Sequence, residues 1–91
     1  MKQMKEKTQV AVVTGAAAGI GKTIARRMGQ DGFAVALLDR DGEKAKESAS
    51  ELANAGIRVK SYTGDLSQER DVRLVFSRIM ADLGTIDVLI N

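Results

Sequence analysis

TGAAAGIGKT, residues 14–23, decides how this chain is interpreted, because its glycines fit two different patterns. Counted from Gly15, the stretch matches G-x-x-x-G-x-G, which is typical of a turn that holds the pyrophosphate of a dinucleotide. Counted from Ala16, it matches A-x-x-x-x-G-K-T, which differs by one residue from the phosphate-binding loop of nucleoside triphosphatases. The flanking sequence has to decide between the two patterns.

The residues on either side of this stretch predict a strand followed by a helix. VAVVT (10–14) is a short, largely β-branched run that stops at Gly15, as a fully buried strand does. An amphipathic helix is predicted next, because apolar residues recur every four positions and Gly32 follows them. Its expected buried face consists of Ile20, Ile24 and Met28.

Strands and helices are predicted to alternate along the rest of the chain. The further strands are expected at FAVALLD (33–39), IRVKSYT (57–63) and IDVLI (86–90). Asp41 is predicted to cap a second helix that runs to about Ala55. Ser67 is predicted to cap a third helix, which Gly84 ends. The expected buried faces are Ala45, Ala49, Leu52 and Ala53 in the second helix and Val72, Val75, Phe76, Ile79 and Leu83 in the third.

The order β-α-β-α-β-α-β indicates an α/β fold with a parallel sheet, because such short connections favour right-handed crossovers. The third strand alternates polar and apolar residues, as an edge strand can, whereas the other strands are apolar on both faces. The predicted spatial order is therefore 3-2-1-4, the first half of a Rossmann-type doubly wound sheet. The fourth strand would be a second edge without protecting charges. We therefore expect a solvated basic leader at residues 1–8 and, at 9–91, the N-terminal half of a dinucleotide-binding domain, truncated after that strand.

The composition excludes several classes of protein. The 14 basic and 12 acidic residues are spread along 91 residues and give a net charge of +2, which argues against nucleic-acid binding. Without cysteine or histidine, disulfides, thiolate metal sites, zinc chemistry and Ser-His-Asp hydrolysis are excluded. No stretch approaches the ~20 apolar residues of a membrane span, and Glu6 interrupts the basic start that a signal peptide would need. We expect a soluble, cytoplasmic protein with no metal site.

The dinucleotide pattern accounts for more residues than the triphosphate pattern. Gly15 would form the turn, Gly19 would let the backbone approach the pyrophosphate, and Gly21 would let the helix pack close to the sheet. The helix N-terminus would offer free N–H groups to the phosphates. Asp39, at the end of the second strand, stands where an acid accepts hydrogen bonds from the adenosine ribose.

The triphosphate pattern stays open as an alternative with weaker support. It needs Lys22 on the phosphates and Thr23 on magnesium, with Asp39 as a second metal-binding acid. Its first glycine, however, is Ala16 in this chain. On the dinucleotide interpretation, Lys22 is simply a solvated residue of the first helical turn.

Four motifs resemble, in order and spacing, the N-terminal half of a classical short-chain dehydrogenase/reductase. They are TGAAAGIG (14–21), LLDRD (37–41), GDL (64–66) and IDVLIN (86–91). The resemblance covers residues 9–91, and the combination is more specific than any one motif. It implies an oxidoreductase that transfers a hydride between a nicotinamide cofactor and an alcohol or ketone.

The resemblance also implies which residues contact the cofactor. The pyrophosphate loop would contribute Gly15, Ala18, Gly19, Ile20 and Gly21. Asp65 and Leu66 match the pair that contacts adenine, and Asn91 matches the first residue of the family's Asn-Asn-Ala-Gly motif. Thr14 is interpreted as structural.

NAD is the expected cofactor, with NADP as the alternative. Asp39 would accept hydrogen bonds from both ribose hydroxyls of NAD and would repel the 2′-phosphate of NADP. Ala18 offers no cation, whereas NADP-dependent members of the family often carry a basic residue there. Arg40 is the opposing observation, because a guanidinium can bind a 2′-phosphate. We expect it to pair with Asp39 and to stack on adenine instead.

Catalytic residues are not expected within this chain. The family uses a Tyr and a Lys four residues apart, assisted by a Ser and an Asn, all later in its sequence. Tyr62 does not match, because Leu66 stands four residues after it. The full-length form is expected to be a homo-oligomer, and the sequence does not identify its substrate. The alternatives are a non-catalytic nucleotide-binding module that dimerises through its fourth strand and, with the least support, a nucleotide hydrolase.

Overall fold

The computed structural model of the protein describes residues 8–91, in which four strands alternate with three helices. The elements are β1 (Val10–Thr14), α1 (Gly19–Gln30), β2 (Ala34–Asp39), α2 (Gly42–Asn54), β3 (Val59–Thr63), α3 (Glu69–Leu83) and β4 (Val88–Ile90). The predicted order of elements is confirmed. β3 and β4 each begin two residues later than the sequence indicated. The expected basic leader at residues 1–8 lies almost wholly outside the described part.

The sheet has the strand order β3-β2-β1-β4, and every neighbouring pair is parallel. The predicted order 3-2-1-4 is confirmed, and the architecture is the first half of a Rossmann-like sheet. β1 lies between β2 and β4, where Val12 is in register with Ala36 on one side and with Leu89 on the other. The carboxyl ends of all four strands therefore share one edge, and the loops that follow them meet there.

Two apolar clusters cover the two faces of the sheet. One is built on Val13, Val35 and Leu37, and the residues that α1 and α2 bury against it include Ala25 and Leu52. The other is built on Val12, Ala36 and Leu38, and α3 buries Val75 and Ile79 against it. Successive residues of β1 and β2 point to opposite clusters, so both strands are apolar up to their last residues, Thr14 and Asp39.

The predicted buried face of α1 is wrong at Ile20, which is 80% exposed. Ile24 and Met28 pack against the core as expected, and Ala25 is fully buried beside them. Positions four apart drift by about 40° around a helix, so three of them do not lie on one straight stripe. The drift carries Ile20 away from the sheet at the very start of α1.

The predicted buried face of α2 is confirmed at Ala45, Ala49 and Leu52 but is wrong at Ala53, which is exposed. Ser48 takes the remaining buried position. The resulting spacing 45, 48, 49, 52 is the i, i+3, i+4, i+7 pattern of one helix face. The Asp41 cap is confirmed, because its carboxylate accepts a hydrogen bond from the Lys44 N–H at 3.1 Å.

α3 begins at Glu69, and the predicted Ser67 cap is wrong. Gln68 occupies the N-cap position and makes no side-chain cap bond. Both the hydroxyl and the N–H of Ser67 donate to Asp65 Oδ1, at 2.7 and 2.9 Å, so that side chain is engaged in the preceding turn. Gly84 ends α3 in the left-handed conformation, as predicted.

The two edge strands differ in how they are covered. On β3, Tyr62 is buried in the cluster under α3, and its hydroxyl donates a hydrogen bond to Asp82 Oδ2 at 2.8 Å. Lys60 lies 3.4 Å from the same oxygen. β4 presents a largely uncovered side, with Leu89 54% exposed. Among residues 8–91, no helix combines the length and apolar character that crossing a membrane requires.

Candidate functional site

The glycine-rich turn after β1 depends on backbone conformations that only glycine adopts easily. Gly15 and Gly19 have φ angles of 61° and 62°, in the left-handed region where a Cβ is strained. These two residues reverse the chain out of β1 and direct it into α1. The predicted turn at Gly15 is confirmed.

Gly21 is required because the backbone packs against it too closely for a side chain. A Cβ at this position would collide with the carbonyl oxygen of Gly15 and lie 3.0 Å from the Cα of Ala16. The close packing predicted for Gly21 is confirmed, but its partner is the backbone of the turn and not the sheet. The first turn of α1 is thereby held directly over the end of β1.

The N-terminus of α1 has no internal compensation for its partial positive charge. Ala18 is the N-cap and makes no side-chain cap bond, and the first turn contains no acidic residue. Within residues 8–91, nothing accepts a hydrogen bond from the N–H groups of Gly19, Ile20 or Gly21. In contrast, the first turn of α2 contains Glu43, and the first turn of α3 contains Glu69 and Asp71. Of the three helices in residues 8–91, α1 is therefore the one whose N-terminus is free to bind an external anion.

Asp39 is held by backbone N–H groups on both of its carboxylate oxygens. Oδ2 accepts from Ala17 and Oδ1 accepts from Asp41, each at 3.0 Å. The expected ion pair between Asp39 and Arg40 is wrong, since none joins them in the described chain, and Arg40 is exposed. The carboxylate already has two donors that fix its direction, so it does not need the guanidinium.

A cleft of about 300 Å³ opens beside this carboxylate, at the ends of β1, β2 and β3. It is lined by Gly15, Leu38, Asp39, Arg40, Gly64, Asp65, Leu66 and Ser67. Five residues that the sequence marked as candidates therefore meet in one place: Gly15, Asp39, Arg40, Asp65 and Leu66. The volume lies at the lower end of the range for small-molecule sites.

Asp65 lines the cleft from the loop after β3, whereas the glycine-rich turn follows β1 on the other side of β2. The hydrogen bonds from the Ser67 hydroxyl and N–H hold the pKa of Asp65 below its ordinary value, so this carboxylate is charged at neutral pH. The Asp65 N–H donates to Asp71 Oδ2 at 3.0 Å, which ties the turn to α3. Leu66 is 39% exposed beside it and offers an apolar surface to the cleft.

Asn91 lies at the end of β4, outside the residues that line the cleft. Its Oδ1 accepts a hydrogen bond from the Thr14 hydroxyl at 2.8 Å. The same hydroxyl lies 3.4 Å from the Ile90 carbonyl oxygen. Thr14 thus joins the ends of β1 and β4, which confirms the structural role expected for it.

Lys22 is not the freely solvated residue that the sequence predicted. Its ammonium group pairs with the Glu51 carboxylate of α2. The hydrogen bond from the Lys22 ammonium group is the main reason why the pKa of Glu51 is lowered. The Thr23 hydroxyl donates to the Gly19 carbonyl at 3.2 Å. Neither residue has the free side chain that a triphosphate and its magnesium ion would require.

Sequence reasoning missed Ser48, which contacts the site from behind. Its hydroxyl donates to the Ala17 carbonyl at 2.6 Å, and the side chain is buried. The available signal was its position three residues after Ala45 and four before Leu52, which places it on the buried face of α2. A polar residue on such a face needs a hydrogen-bond partner.

Comparison with known proteins agrees with this geometry. Residues 9–91 match the family model described as short chain dehydrogenase. This chain belongs to the short chain dehydrogenase family. The order of its strands and the glycine-rich turn at the first strand are thus those of a short chain dehydrogenase.

Individual dehydrogenases and reductases resemble the chain over almost its whole length. It is 38% identical over 88 residues to 1-deoxy-11-beta-hydroxypentalenate dehydrogenase of Streptomyces exfoliatus, covering 97% of this chain and 32% of that protein. A metagenomic short-chain oxidoreductase in complex with NADP has a TM-score of 0.85 and 41% identity, covering 91% of this chain and 38% of that one. The 3-ketoacyl-(acyl-carrier-protein) reductase of Brucella melitensis, complexed with NADH, has a TM-score of 0.83 and 31% identity, covering 91% of this chain and 33% of that one. The chain spans about a third of the length of the curated relatives it matches.

Proposed function

We propose that residues 9–91 form the nicotinamide-dinucleotide-binding part of an oxidoreductase. The observation that carries the proposal is the uncompensated N-terminus of α1, where Gly19, Ile20 and Gly21 present free N–H groups. A pyrophosphate would accept these hydrogen bonds and would neutralise the partial positive charge of the helix end. Solved relatives hold NADP or NADH, which supports the same ligand class here.

The cleft beside Asp39 is the proposed place for the adenosine half of the cofactor. Asp39 would accept hydrogen bonds from the ribose hydroxyls, since a carboxylate has lone pairs beyond the two that its backbone donors use. Asp65 and Leu66 line the side where adenine would lie, one with a hydrogen-bond acceptor and the other with apolar surface. Gly15, at the mouth of the cleft, would connect this half to the pyrophosphate.

NAD is the proposed cofactor rather than NADP. A 2′-phosphate would lie beside the Asp39 carboxylate, whose position two backbone donors fix. Two unit charges ~4 Å apart near a surface interact by about 4 kcal/mol before salt screening. Arg40 works in the opposite direction, because its exposed guanidinium has no ion-pair partner among residues 8–91. The carboxylate is fixed and the guanidinium is exposed, so we assign the larger effect to the carboxylate.

The proposed reaction of the whole enzyme is hydride transfer between the nicotinamide ring and an alcohol or ketone. It rests on family membership, and the proton-transferring residues are assigned to sequence beyond these residues. Tyr62 is unsuited to that role, because it is buried under α3 and bonded to Asp82. We also propose that the enzyme is a homo-oligomer and that β4 is followed by further strands.

Direct titration of the protein with NADH, ADP-ribose and Mg-ATP tests the proposal. We expect NADH and ADP-ribose to bind at one site, to compete with each other and to resist displacement by Mg-ATP. Displacement by Mg-ATP at equal concentration would support the nucleotide hydrolase instead. Absence of binding by NADH, NADPH and ADP-ribose alike would contradict the proposed function.

A further inference from the structure

Ser48 is the one polar side chain that is fully buried within the described part of the chain, at 3% exposure. It lies on α2, whose remaining buried residues are Ala45 and Leu52. Its hydroxyl donates a 2.6 Å hydrogen bond to the carbonyl oxygen of Ala17, in the glycine-rich turn. α2 therefore contacts the turn through a directed polar bond as well as through apolar packing.

With that bond, both backbone polar groups of Ala17 are hydrogen-bonded to side chains. The N–H of Ala17 donates to Asp39 Oδ2 from the end of β2, and its carbonyl accepts from Ser48. Ala17 directly precedes Ala18, the N-cap of α1. The direction in which the chain enters α1, and hence the aim of its free N–H groups, is set at this residue.

We propose that Ser48 is a positioning residue for the cofactor, which aims the N-terminus of α1 through the Ala17 carbonyl. The inference rests on the proposed function, since it concerns the same dinucleotide. Ser48 does not line the cleft and would not touch the ligand. Its role is to hold the turn in the conformation that presents N–H groups to the pyrophosphate before the ligand arrives.

The contacts around Ser48 separate this role from simple stabilisation of the fold. Alanine is a better helix former than serine and would fill the same buried position without a clash. Glu51, three residues further along the same face of α2, keeps its ion pair with Lys22 in α1. Loss of the hydroxyl would therefore leave α1 and α2 connected and would release chiefly the Ala17 carbonyl. A buried carbonyl without a donor is unfavourable, so the turn would shift to find another partner.

The test compares Ser48→Ala with Ser48→Thr and with Ser50→Ala, an exposed serine on the same helix. Dissociation constants for NADH and ADP-ribose and the ligand-free thermal midpoint are measured on each protein. We expect Ser48→Ala to weaken both ligands by about five- to tenfold, with a small change in the ligand-free midpoint. Ser48→Thr, which keeps a hydroxyl, should restore most of the affinity, and Ser50→Ala should bind as the wild type does.

Three results would overturn the proposal. Equal affinity of Ser48→Ala and wild type, with or without a lowered midpoint, would make Ser48 a residue of fold stability alone. Equal weakness of Ser48→Ala and Ser48→Thr would assign the effect to packing instead of the hydroxyl. Failure of the wild type to bind either ligand would remove the proposed function itself, and with it this role, which distinguishes that failure from the other two.

Discussion

The carboxylate of Asp39 accepts a 3.0 Å hydrogen bond from the backbone N–H of Ala17. The acid at the end of β2 therefore supports the glycine-rich turn after β1, in addition to facing the cleft. Any change at Asp39 alters two things together: the charge near the ribose and the support of the turn. A measurement that compares two cofactors separates them, because the turn serves both equally.

We predict that Asp39→Asn shifts the preference from NADH towards NADPH. The amide keeps one acceptor oxygen for the backbone but removes the negative charge that opposes a 2′-phosphate. The ratio of the two dissociation constants should change by roughly 10- to 100-fold, measured by titration at low ionic strength. Asp31→Asn, at the far end of α1, is the matched control. An unchanged ratio would show that Asp39 does not set the preference.

We predict that Gly21→Ala damages the site severely. The new methyl group would meet the Gly15 carbonyl oxygen and the Ala16 Cα, which are backbone atoms that cannot rotate away. Overpacking of this kind lowers the free energy of unfolding by about 1–3 kcal/mol, and NADH affinity should fall more than tenfold. Thermal denaturation and NADH titration measure the two effects. Thr23→Ala, in the same helical turn, should change both far less, and an undisturbed Gly21→Ala protein would refute the packing argument.

We predict that Lys22→Ala leaves NADH affinity within about twofold of wild type. The ammonium group pairs with Glu51 on α2, so it does not contribute to phosphate binding. An ion pair this exposed contributes about 0–1 kcal/mol to stability, and the thermal midpoint should fall only slightly. If Lys22→Ala instead abolished nucleotide binding, the triphosphate pattern would regain its support.

We predict that Tyr62→Phe destabilises the fold in a pH-dependent way. The pKa of Asp82 is lowered mainly by the hydrogen bond from the Tyr62 hydroxyl and further by Lys60. The pKa of Tyr62 is raised mainly by burial and further by the Asp82 carboxylate. The lowered pKa of Asp82 stabilises the fold at any pH above its ordinary pKa near 4, and this stabilisation is lost as the pH falls through the pKa of the folded state. The raised pKa of Tyr62 stabilises the fold at any pH below its ordinary pKa near 10, and this stabilisation is lost as the pH rises above that value towards the pKa of the folded state.

The difference in thermal midpoint between wild type and Tyr62→Phe should therefore be largest from about pH 5 to 9 and smaller at both extremes. Near pH 7 we expect a difference of about 4–8 °C, the effect of about 1 kcal/mol from one net hydrogen bond in a chain of this length. Asp82→Asn keeps an acceptor without the charge, so in that background the effect of Tyr62→Phe on the midpoint should lack the acid-side dependence. A difference that stays constant from pH 2 to 11 would exclude this linkage.

The order of elements and the position of the cleft were predictable because local patterns determine both. A few neighbouring residues are enough to identify the apolar strands β1 and β2 and the turn formed by the glycines at 15, 19 and 21. The ends of parallel strands share one edge, so Asp39 and Asp65 had to come near the glycine-rich turn.

The errors concern side chains whose surroundings are not specified by the pattern of a single helix or strand. Ile20 fits a four-residue period, but that period drifts around the helix and leaves Ile20 exposed. Ser67 fits a helix cap, but Asp65 engages its hydroxyl first. The Ser48 contact with Ala17 spans 31 residues, and the partners of Tyr62 and Lys22 lie on other elements. No pattern within a single helix or strand encodes such contacts.

The bond between Thr14 and Asn91 joins residues 77 positions apart. β1 is among the first segments of this sequence to leave the ribosome, yet β4, which pairs with it, is the last of the four strands to follow. During synthesis, one side of VAVVT has no strand to pair with until β4 emerges. One side of β1 therefore stays unpaired until almost all of these residues have been made, and an unpaired apolar strand edge favours aggregation.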